Sequence, residues 1–284
     1  MQFKSFIFLA ALTGLIIATG YYLGGQQGIV IALIISATMN VGSYWFSDKL
    51  VLAIYHARPL MPEQNLRVHQ IVERIAAKNG LPKPKIYIVN LPAPNAFATG
   101  RNKNHAVVAV TPSILSLLND KELEGVLAHE LGHIQNKDIL ISSIAATLAG
   151  AISFLAQMAY YSMLFTGGRG GQNNHNRGNG LGALALLILT PIIATILHLA
   201  ISRSREYLAD TTGAKTTGNP EELASALEKI HSASKTHPLI GEPKHEATAH
   251  LFIVNPFKPS LLMQLFSTHP PVEERVKRLR NLKQ

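Results

Sequence analysis

Long uncharged apolar segments are the feature of this sequence that most restricts its fold. Residues 5–23 and 28–46 each run for 19 residues without a formal charge, which is long enough for a helix to cross a hydrocarbon core of about 30 Å. Only four residues separate them, which predicts a tight turn. Residues 139–165 and 181–201 are also uncharged, and Pro191 is expected to kink the latter. We predict a helical membrane protein with about four spans, although a buried core helix or a partly inserted hairpin would give the same pattern in the second pair.

A cleaved signal peptide is the alternative for the first segment, because Lys4 precedes an apolar run. The run is longer than a usual signal core, and a second apolar segment follows almost at once. Apolar residues make up 47% of the chain and charged residues only 15%, which is unusual for a soluble enzyme. A membrane hairpin is therefore favoured.

The charges outside these segments predict an orientation. All 17 acidic residues lie within 47–138 and 202–284, which fits water-exposed regions on one side of a membrane. Near the predicted span ends, eight basic residues lie on that side and two on the other: Lys4, Lys49, Arg58, Lys121, Lys137, Arg203, Arg205 and Lys215 against Arg169 and Arg177. The positive-inside rule makes the first side, with both termini, cytoplasmic. The net charge of +9 is explained by membrane topology and by attraction of basic side chains to anionic lipid headgroups. The sequence has no clustered basic-aromatic motif that would indicate nucleic-acid binding.

The strongest chemical signal is His129-Glu130-Leu131-Gly132-His133. Apolar residues at helical spacing precede it, and Asn119 or Asp120 is the expected N-cap. Two histidines four residues apart on a helix can reach one zinc ion, and Glu130 between them is placed to act as general base. The chain has no cysteine, which excludes thiol catalysis, cysteine-ligated zinc and disulfides. A solvated or core histidine pair on an amphipathic helix is the alternative.

A catalytic zinc ion usually has three protein ligands, so a third must lie elsewhere in the chain. Glu206 and Asp210 follow the fourth apolar segment and lie one helical turn apart on the same face. We predict that one Zn²⁺ per chain is held by His129, His133 and Glu206. Asp210 is expected to accept the second ring N–H of a ligating histidine. A solvated helix face would also carry this pair of carboxylates.

Three β-rich runs predict a small antiparallel sheet. They are residues 85–89, 95–99 and 105–110, and turn-forming residues separate them. Pro92 and Pro94 would interrupt pairing on one side of the middle run. Residues 95–99 are therefore expected to form an edge strand.

In combination, these motifs resemble the HtpX group of membrane-integrated zinc proteases, in the family that also holds the CAAX prenyl endopeptidases. The resemblance rests on the paired N-terminal spans, Asn95-Ala96-Phe97-Ala98, the 129–133 motif, an apolar hairpin, Glu206-x-x-x-Asp210 and His269-Pro270. It implies an α+β fold, mainly α, in which a zincin-like gluzincin domain faces the cytosol. It also implies cleavage of damaged or misassembled membrane proteins in quality control and the stress response.

The resemblance extends to substrate contacts. A substrate backbone is expected to add as a strand along residues 95–99, with Asn95, Ala96, Phe97 and Ala98 as substrate-binding residues; an ordinary hairpin strand is the alternative. In the resembling family the His-Pro pair lies near the active site, so His269 is expected to stabilise the oxyanion, and a role in opening the C-terminal helix is the alternative. Arg203 and Arg205 are interpreted as headgroup anchors, and stabilisation of the oxyanion is the alternative for them.

The predicted organisation alternates between membrane and cytosol. Residues 1–46 form the N-terminal transmembrane hairpin, 47–138 the first part of the zincin domain, 139–201 the second hairpin with a Gly/Asn-rich loop at 167–180, and 202–284 the second part of the zincin domain. We expect an endopeptidase of the bacterial inner membrane, with polypeptide substrates and the lipid bilayer as its partners. A membrane zinc transporter and a catalytically inactive zinc-binding scaffold are the alternatives, although His198 is the only ionisable candidate within the predicted spans. The His-rich region 237–250 is interpreted as a surface loop, a flap or an auxiliary metal site.

Overall fold

The computed structural model describes residues 2–166, 180–236, 252–254 and 269–282. The chain divides into two compact units, one made of Ser43–Leu140 with Ser202–Gln284 and the other of Gln2–Gly42 with Ile141–Ile201. The His-rich region 237–250 and residues 167–179 of the Gly/Asn-rich loop lie outside the described residues.

Helices dominate the described chain. They are α1 (Gln2–Trp45), α2 (Ser47–Ile54), α3 (Leu66–Lys78), α4 (Pro112–Leu117), α5 (Asp120–Gln135), α6 (Asp138–Thr166), α7 (Gly180–Thr217), α8 (Pro220–Thr236) and α9 (Val272–Arg280), with a 3-10 turn at Lys103–His105. The strands are β1 (Arg58–Pro59), β2 (Lys85–Ile88), β3 (Ala96–Thr99) and β4 (Val107–Val110).

The smaller unit consists of apolar helix packed on apolar helix. Within α1 the backbone leaves the helical region at Gly25 (φ 58°, ψ −166°), inside the four residues predicted to form a turn. Ser36 Oγ donates a hydrogen bond to the carbonyl oxygen of Thr147 in α6 at 2.7 Å. A Cβ atom at Gly150 would lie 2.7 Å from Ser36 Oγ. Small residues therefore allow the two helices to approach closely, as is common between membrane helices.

Among the described residues, one helix is both long and apolar enough to span a membrane. It is Asp138–Met158 within α6, with a mean hydropathy of 2.1. Ile7–Ala18 and Gly25–Thr38 are apolar but shorter. One span is thus found where the sequence predicted about four.

The larger unit contains a four-stranded mixed sheet in the order β1-β2-β4-β3. β3 pairs antiparallel with β4 and lies at an edge, which confirms the edge-strand prediction. The prediction of an antiparallel sheet was wrong, because β2 pairs parallel with β4. β4 lies between β2 and β3 in the sheet. It runs antiparallel to β3 on one side and parallel to β2 on the other. All four β4 residues are buried, as expected for an uninterrupted apolar strand in a sheet interior.

A capping box fixes the start of α5. The Asn119 side chain accepts hydrogen bonds from the N–H groups of Lys121 and Glu122, and Glu122 accepts one from Asn119 N–H at 3.1 Å. Ser225 and Lys229 of α8 also donate to Glu122, at 2.7 and 2.8 Å. Burial raises the pKa of Glu122, but these donors outweigh it and lower the pKa overall. Asn119 rather than Asp120 is therefore the N-cap, and α8 is tied to the first turn of α5.

Candidate metal and catalytic site

The His-Glu-x-x-His motif lies in the middle of α5, on its buried side. His129 and Glu130 are 2% and 6% exposed, and the Nε2 atoms of His129 and His133 are 3.2 Å apart. Glu130 Oε2 accepts a hydrogen bond from the Ala98 N–H at 2.9 Å. The motif is therefore placed directly against the edge strand β3.

Glycines bring α7 onto α5 at the motif. A Cβ atom at Gly213 would lie 2.9 Å from the backbone nitrogen of His129, and one at Gly132 would lie 3.3 Å from the Ala209 carbonyl oxygen. Glu206 and Asp210 precede Gly213 by seven and three residues, so all three share one face of α7. This close approach carries both carboxylates to the histidines.

Glu206 completes a convergent set of donor atoms. Its Oε2 lies 3.6 Å from His129 Nε2, and its Oε1 lies 3.5 Å from His133 Nε2. One ligand atom from each of the three residues falls within 4.8 Å of the others. Glu206 Oε2 is buried and has no hydrogen-bond partner among the described residues. Buried carboxylate oxygens are rarely left without a hydrogen bond. The Arg275 guanidinium lies 3.4 Å from Glu206 Oε2 without making one, and a cation held by the three donor residues would satisfy this oxygen.

Asp210 contacts His129 on the other side of the ring. Its Oδ1 lies 3.0 Å from His129 Nδ1. Arg275, which is fully buried, donates to both Asp210 oxygens, at 2.6 and 2.9 Å. Sequence reasoning missed Arg275, yet α9 held a signal: its buried residues follow helical spacing, and an arginine occupies one of these positions.

His133 has a corresponding neighbour in Asp138, which sequence reasoning also missed. His133 Nδ1 donates to Asp138 Oδ2 at 2.7 Å, and Arg205 forms an ion pair with Asp138 Oδ1. Arg205 is 2% exposed, so its interpretation as a headgroup anchor was wrong. The face of α7 that carries Arg205 points into the protein, toward the buried carboxylate of Asp138.

His269 lies beside the same set of residues. Its Nε2 is 3.5 Å from Glu206 Oε1, and its side chain is mostly buried. The N-cap of α9 is Pro271, and no side-chain hydrogen bond caps that helix. The geometry therefore favours the site over the capping alternative for His269.

The four predicted substrate-binding residues are oriented differently from one another. Asn95 is buried, and its Oδ1 accepts a hydrogen bond from Ile253 N–H at 3.1 Å. Phe97 packs against Tyr55, with ring centroids 5.8 Å apart, and Ala96 is fully buried. Ala98 N–H reaches Glu130. The Asn95 and Phe97 side chains are thus engaged in the interior, and β3 meets the site through its backbone.

Burial and mutual charge set the protonation of the site. Burial raises the pKa of Glu130, and the nearby histidines only partly offset this. Burial also raises the pKa of Glu206, but His269, His133 and Arg275 outweigh it and lower the pKa to about 2. Burial lowers the pKa of His269 to about 4, so its imidazole is neutral at physiological pH.

A buried His-Glu-x-x-His helix, with a glutamate from a second helix and a sheet edge alongside, is the arrangement of a metallopeptidase. The comparisons with known proteins agree with this class. The sequence model of peptidase family M48 matches residues 62–283. The chain belongs to peptidase family M48.

Curated relatives named "Protease HtpX homolog" match over nearly the whole length. The Syntrophobacter fumaroxidans protein is 52% identical over 281 residues, covering 99% of both chains. The Pyrococcus furiosus protein is 52% identical, covering 97% of this chain and 94% of its own. These relatives confirm the resemblance to HtpX. The chain is a membrane metalloprotease, and the transporter and scaffold alternatives are not favoured.

A solved structure shares the fold. The crystal structure of S. mikatae Ste24p superposes with a TM-score of 0.60 at 19% sequence identity. The match covers 95% of this chain and 62% of Ste24p, so this chain spans less than two thirds of that protein.

Proposed function

We propose that this protein is a zinc-dependent endopeptidase of the cytoplasmic membrane that hydrolyses damaged or misassembled membrane proteins. One observation carries the proposal: donor atoms of His129, His133 and Glu206 lie within 4.8 Å of one another, and the Glu130 carboxylate lies against the adjacent sheet edge. Two imidazole nitrogens and one carboxylate are a ligand set typical of catalytic zinc, whereas magnesium and calcium prefer oxygen ligands. One Zn²⁺ per chain would be held by these three residues. When bound, the ion supplies a Lewis acid that acidifies water and polarises a peptide carbonyl.

Glu130 is the proposed general base. Its raised pKa moves the carboxylate toward the range in which a base works best near neutral pH. The Ala98 N–H holds Oε2 and so fixes the orientation of the carboxylate. Glu130 takes a proton from the attacking water and later delivers it to the leaving amine nitrogen.

The edge strand is the proposed substrate platform. β3 lies at the edge of the sheet, so an extended peptide can add alongside residues Asn95, Ala96, Phe97 and Ala98 through main-chain hydrogen bonds. Main-chain recognition gives little side-chain selectivity, which suits substrates defined by misfolding rather than by sequence. The neutral His269 imidazole, beside Glu206, is the proposed donor to the oxyanion.

The proposed membrane arrangement has four spans. Residues 1–46 and 139–201 form two transmembrane hairpins, and residues 47–138 and 202–284 form the catalytic domain. The distribution of acidic residues and the excess of basic residues near the span ends support a cytoplasmic catalytic domain and cytoplasmic termini.

The experiment compares Glu130→Gln with the wild-type chain in detergent, measuring zinc content and casein cleavage. Glu130→Gln should retain one zinc ion, because all three ligands remain, and lose proteolysis by several orders of magnitude. Glu124→Gln, on the same helix but outside the motif, where the partly buried carboxylate pairs with the exposed Arg74, is the matched control and should cleave normally. Undiminished cleavage by Glu130→Gln would refute the mechanism.

A further inference from the structure

Each of the two histidines of the site lies between Glu206 and an aspartate. Each directs Nε2 toward Glu206, at 3.6 Å for His129 and 3.5 Å for His133. Each directs Nδ1 toward an aspartate, which is Asp210 at 3.0 Å for His129 and Asp138 at 2.7 Å for His133. A carboxylate at Nδ1 keeps the proton on that nitrogen and leaves the Nε2 lone pair for a metal.

Each aspartate is in turn held by a buried arginine. Arg275 donates to both oxygens of Asp210. Arg205 donates through Nε and Nη2 to Asp138 Oδ1, while Oδ2 accepts from His133. Asp138 and Arg205 are 5% and 2% exposed. Because burying two charges is costly unless they are closely paired, this contact is a fixed part of the site.

The backbone is shaped to deliver Asp138 to His133. α5 ends at Gln135, Lys137 adopts the left-handed conformation (φ 57°), and α6 begins at Asp138. A lysine is disfavoured in that conformation. Arg205 Nη2 also donates to the Asn136 carbonyl oxygen at 2.8 Å. Arg205 therefore holds both the carboxylate and the turn that carries it.

We infer that Asp138, clamped by Arg205, is the positioning residue of His133 and the counterpart of Asp210 at His129. It acts by fixing the tautomer and ring orientation with which His133 Nε2 faces a divalent cation. The inference rests on the proposed function, since it concerns the same metal site. Partners of this kind are worth about 10–100-fold in metal affinity.

The test measures zinc affinity of the full-length chain in detergent by competition with a chromophoric chelator. Asp138→Ala is expected to bind zinc about 100-fold more weakly, and Asp138→Asn about 10-fold more weakly, because Asn keeps an acceptor for His133 but loses the charge. Asp120→Ala is the matched control: Asp120 also begins a helix and pairs with an arginine, Arg67, at 2.6 Å, but it is exposed. It should bind zinc as the wild type does.

A second readout separates positioning from general packing. The visible absorption of bound Co²⁺ should change in Asp138→Asn and stay unchanged in Asp120→Ala. Asp138→Asn leaves the buried Arg205 charge without its partner, so its metal-free Tm should fall, and the Co²⁺ spectrum is therefore recorded well below that Tm, where it reports on the metal site of the folded protein. If Asp138→Ala does not fold, Asp138→Asn decides the question. Wild-type zinc affinity and an unaltered Co²⁺ spectrum in Asp138→Asn would overturn the inference.

The same measurements distinguish this failure from failure of the proposed function. His133→Ala should lose zinc binding altogether. If the wild type binds no zinc, or His133→Ala binds it equally well, the proposed metal site is wrong. If only the Asp138 variants behave as the wild type, the positioning role alone is wrong.

Discussion

Arg275→Met removes a guanidinium that is fully buried between two carboxylates. Arg275 binds both oxygens of Asp210 and lies 3.4 Å from Glu206 Oε2. Methionine fills much of the volume but leaves the carboxylates without a counter-charge, and breaking a buried ion pair in this way costs about 3–5 kcal/mol. Against a total stability of about 5–15 kcal/mol for a typical domain, that loss is large.

Thermal unfolding of the metal-free protein in detergent measures this loss. At roughly 2–4 °C per kcal/mol for chains of this size, the Tm should fall by roughly 6–20 °C. Asp210 has a pKa well below its usual value in the fold: burial raises it, but Arg275 and His129 outweigh burial. Its stabilising effect is present above its unfolded pKa of about 3.9 and is lost as the pH falls through the folded pKa. The difference between variant and wild type should therefore keep its full size from pH 7 down to about pH 4 and should narrow only below that pH.

Arg280→Met on the same helix is the matched control. Arg280 pairs with Glu221 and Glu228, but all three side chains are well exposed, and water screens such pairs. Its Tm should stay close to that of the wild type. Equal Tm losses in the two variants, or a loss at Arg275 that does not vary with pH, would refute the reasoning from buried charge.

Three further predictions test the packing and capping of the two units. Gly213→Ala places a Cβ 2.9 Å from the backbone nitrogen of His129 and should lower both Tm and zinc affinity. The control Gly42→Ala, which has open space around the added Cβ, should leave both unchanged. Equal zinc affinity in the two variants would contradict the argument from close helix approach. Ser36→Ala removes the hydrogen bond between α1 and α6 and should cost about 0.6 kcal/mol, measured by unfolding in detergent; a loss of several kcal/mol would show that Ser36 has a larger role. Glu122 has a lowered pKa, so its stabilising effect is present above its unfolded pKa and is lost as the pH falls through the folded pKa. Glu122→Gln should therefore lower Tm at pH 7, and on acidification its Tm should fall less than that of the control Glu63→Gln, which changes an exposed residue and keeps Glu122. Parallel curves of Tm against pH in the two variants would disprove this.

Local spacing made part of the site predictable from sequence. His129 and His133, and likewise Glu206 and Asp210, are each one helical turn apart, so a helical pattern alone places each pair on one face. What brings the two helices together is not local. Gly213 reads as an ordinary small residue until the structure places it against the His129 backbone.

The two buried arginines that hold Asp210 and Asp138 reach them from distant parts of the chain, so no local sequence pattern predicts these contacts. Arg275 is separated from Asp210 by 65 residues and Arg205 from Asp138 by 67. The parallel pairing of β2 with β4 was also missed because it is not local. It depends on which strand pairs with β4 on the side away from β3. β3 was predictable as an edge because Pro92 and Pro94, which precede the strand in the sequence, limit pairing on one side.

The two Arg–Asp pairs also determine the electrical balance of the interior. Each pair is neutral in itself, so Glu130 and Glu206, when ionised, are the negative charges that remain uncompensated among the described residues of the site. A divalent cation matches that charge, and a buried cluster with matched charge avoids the cost of isolated charge in a low dielectric. Release of the ion should therefore be accompanied by proton uptake, because ligand protonation and metal binding are linked. A metal-affinity measurement on this protein should accordingly depend on pH through the number of protons exchanged.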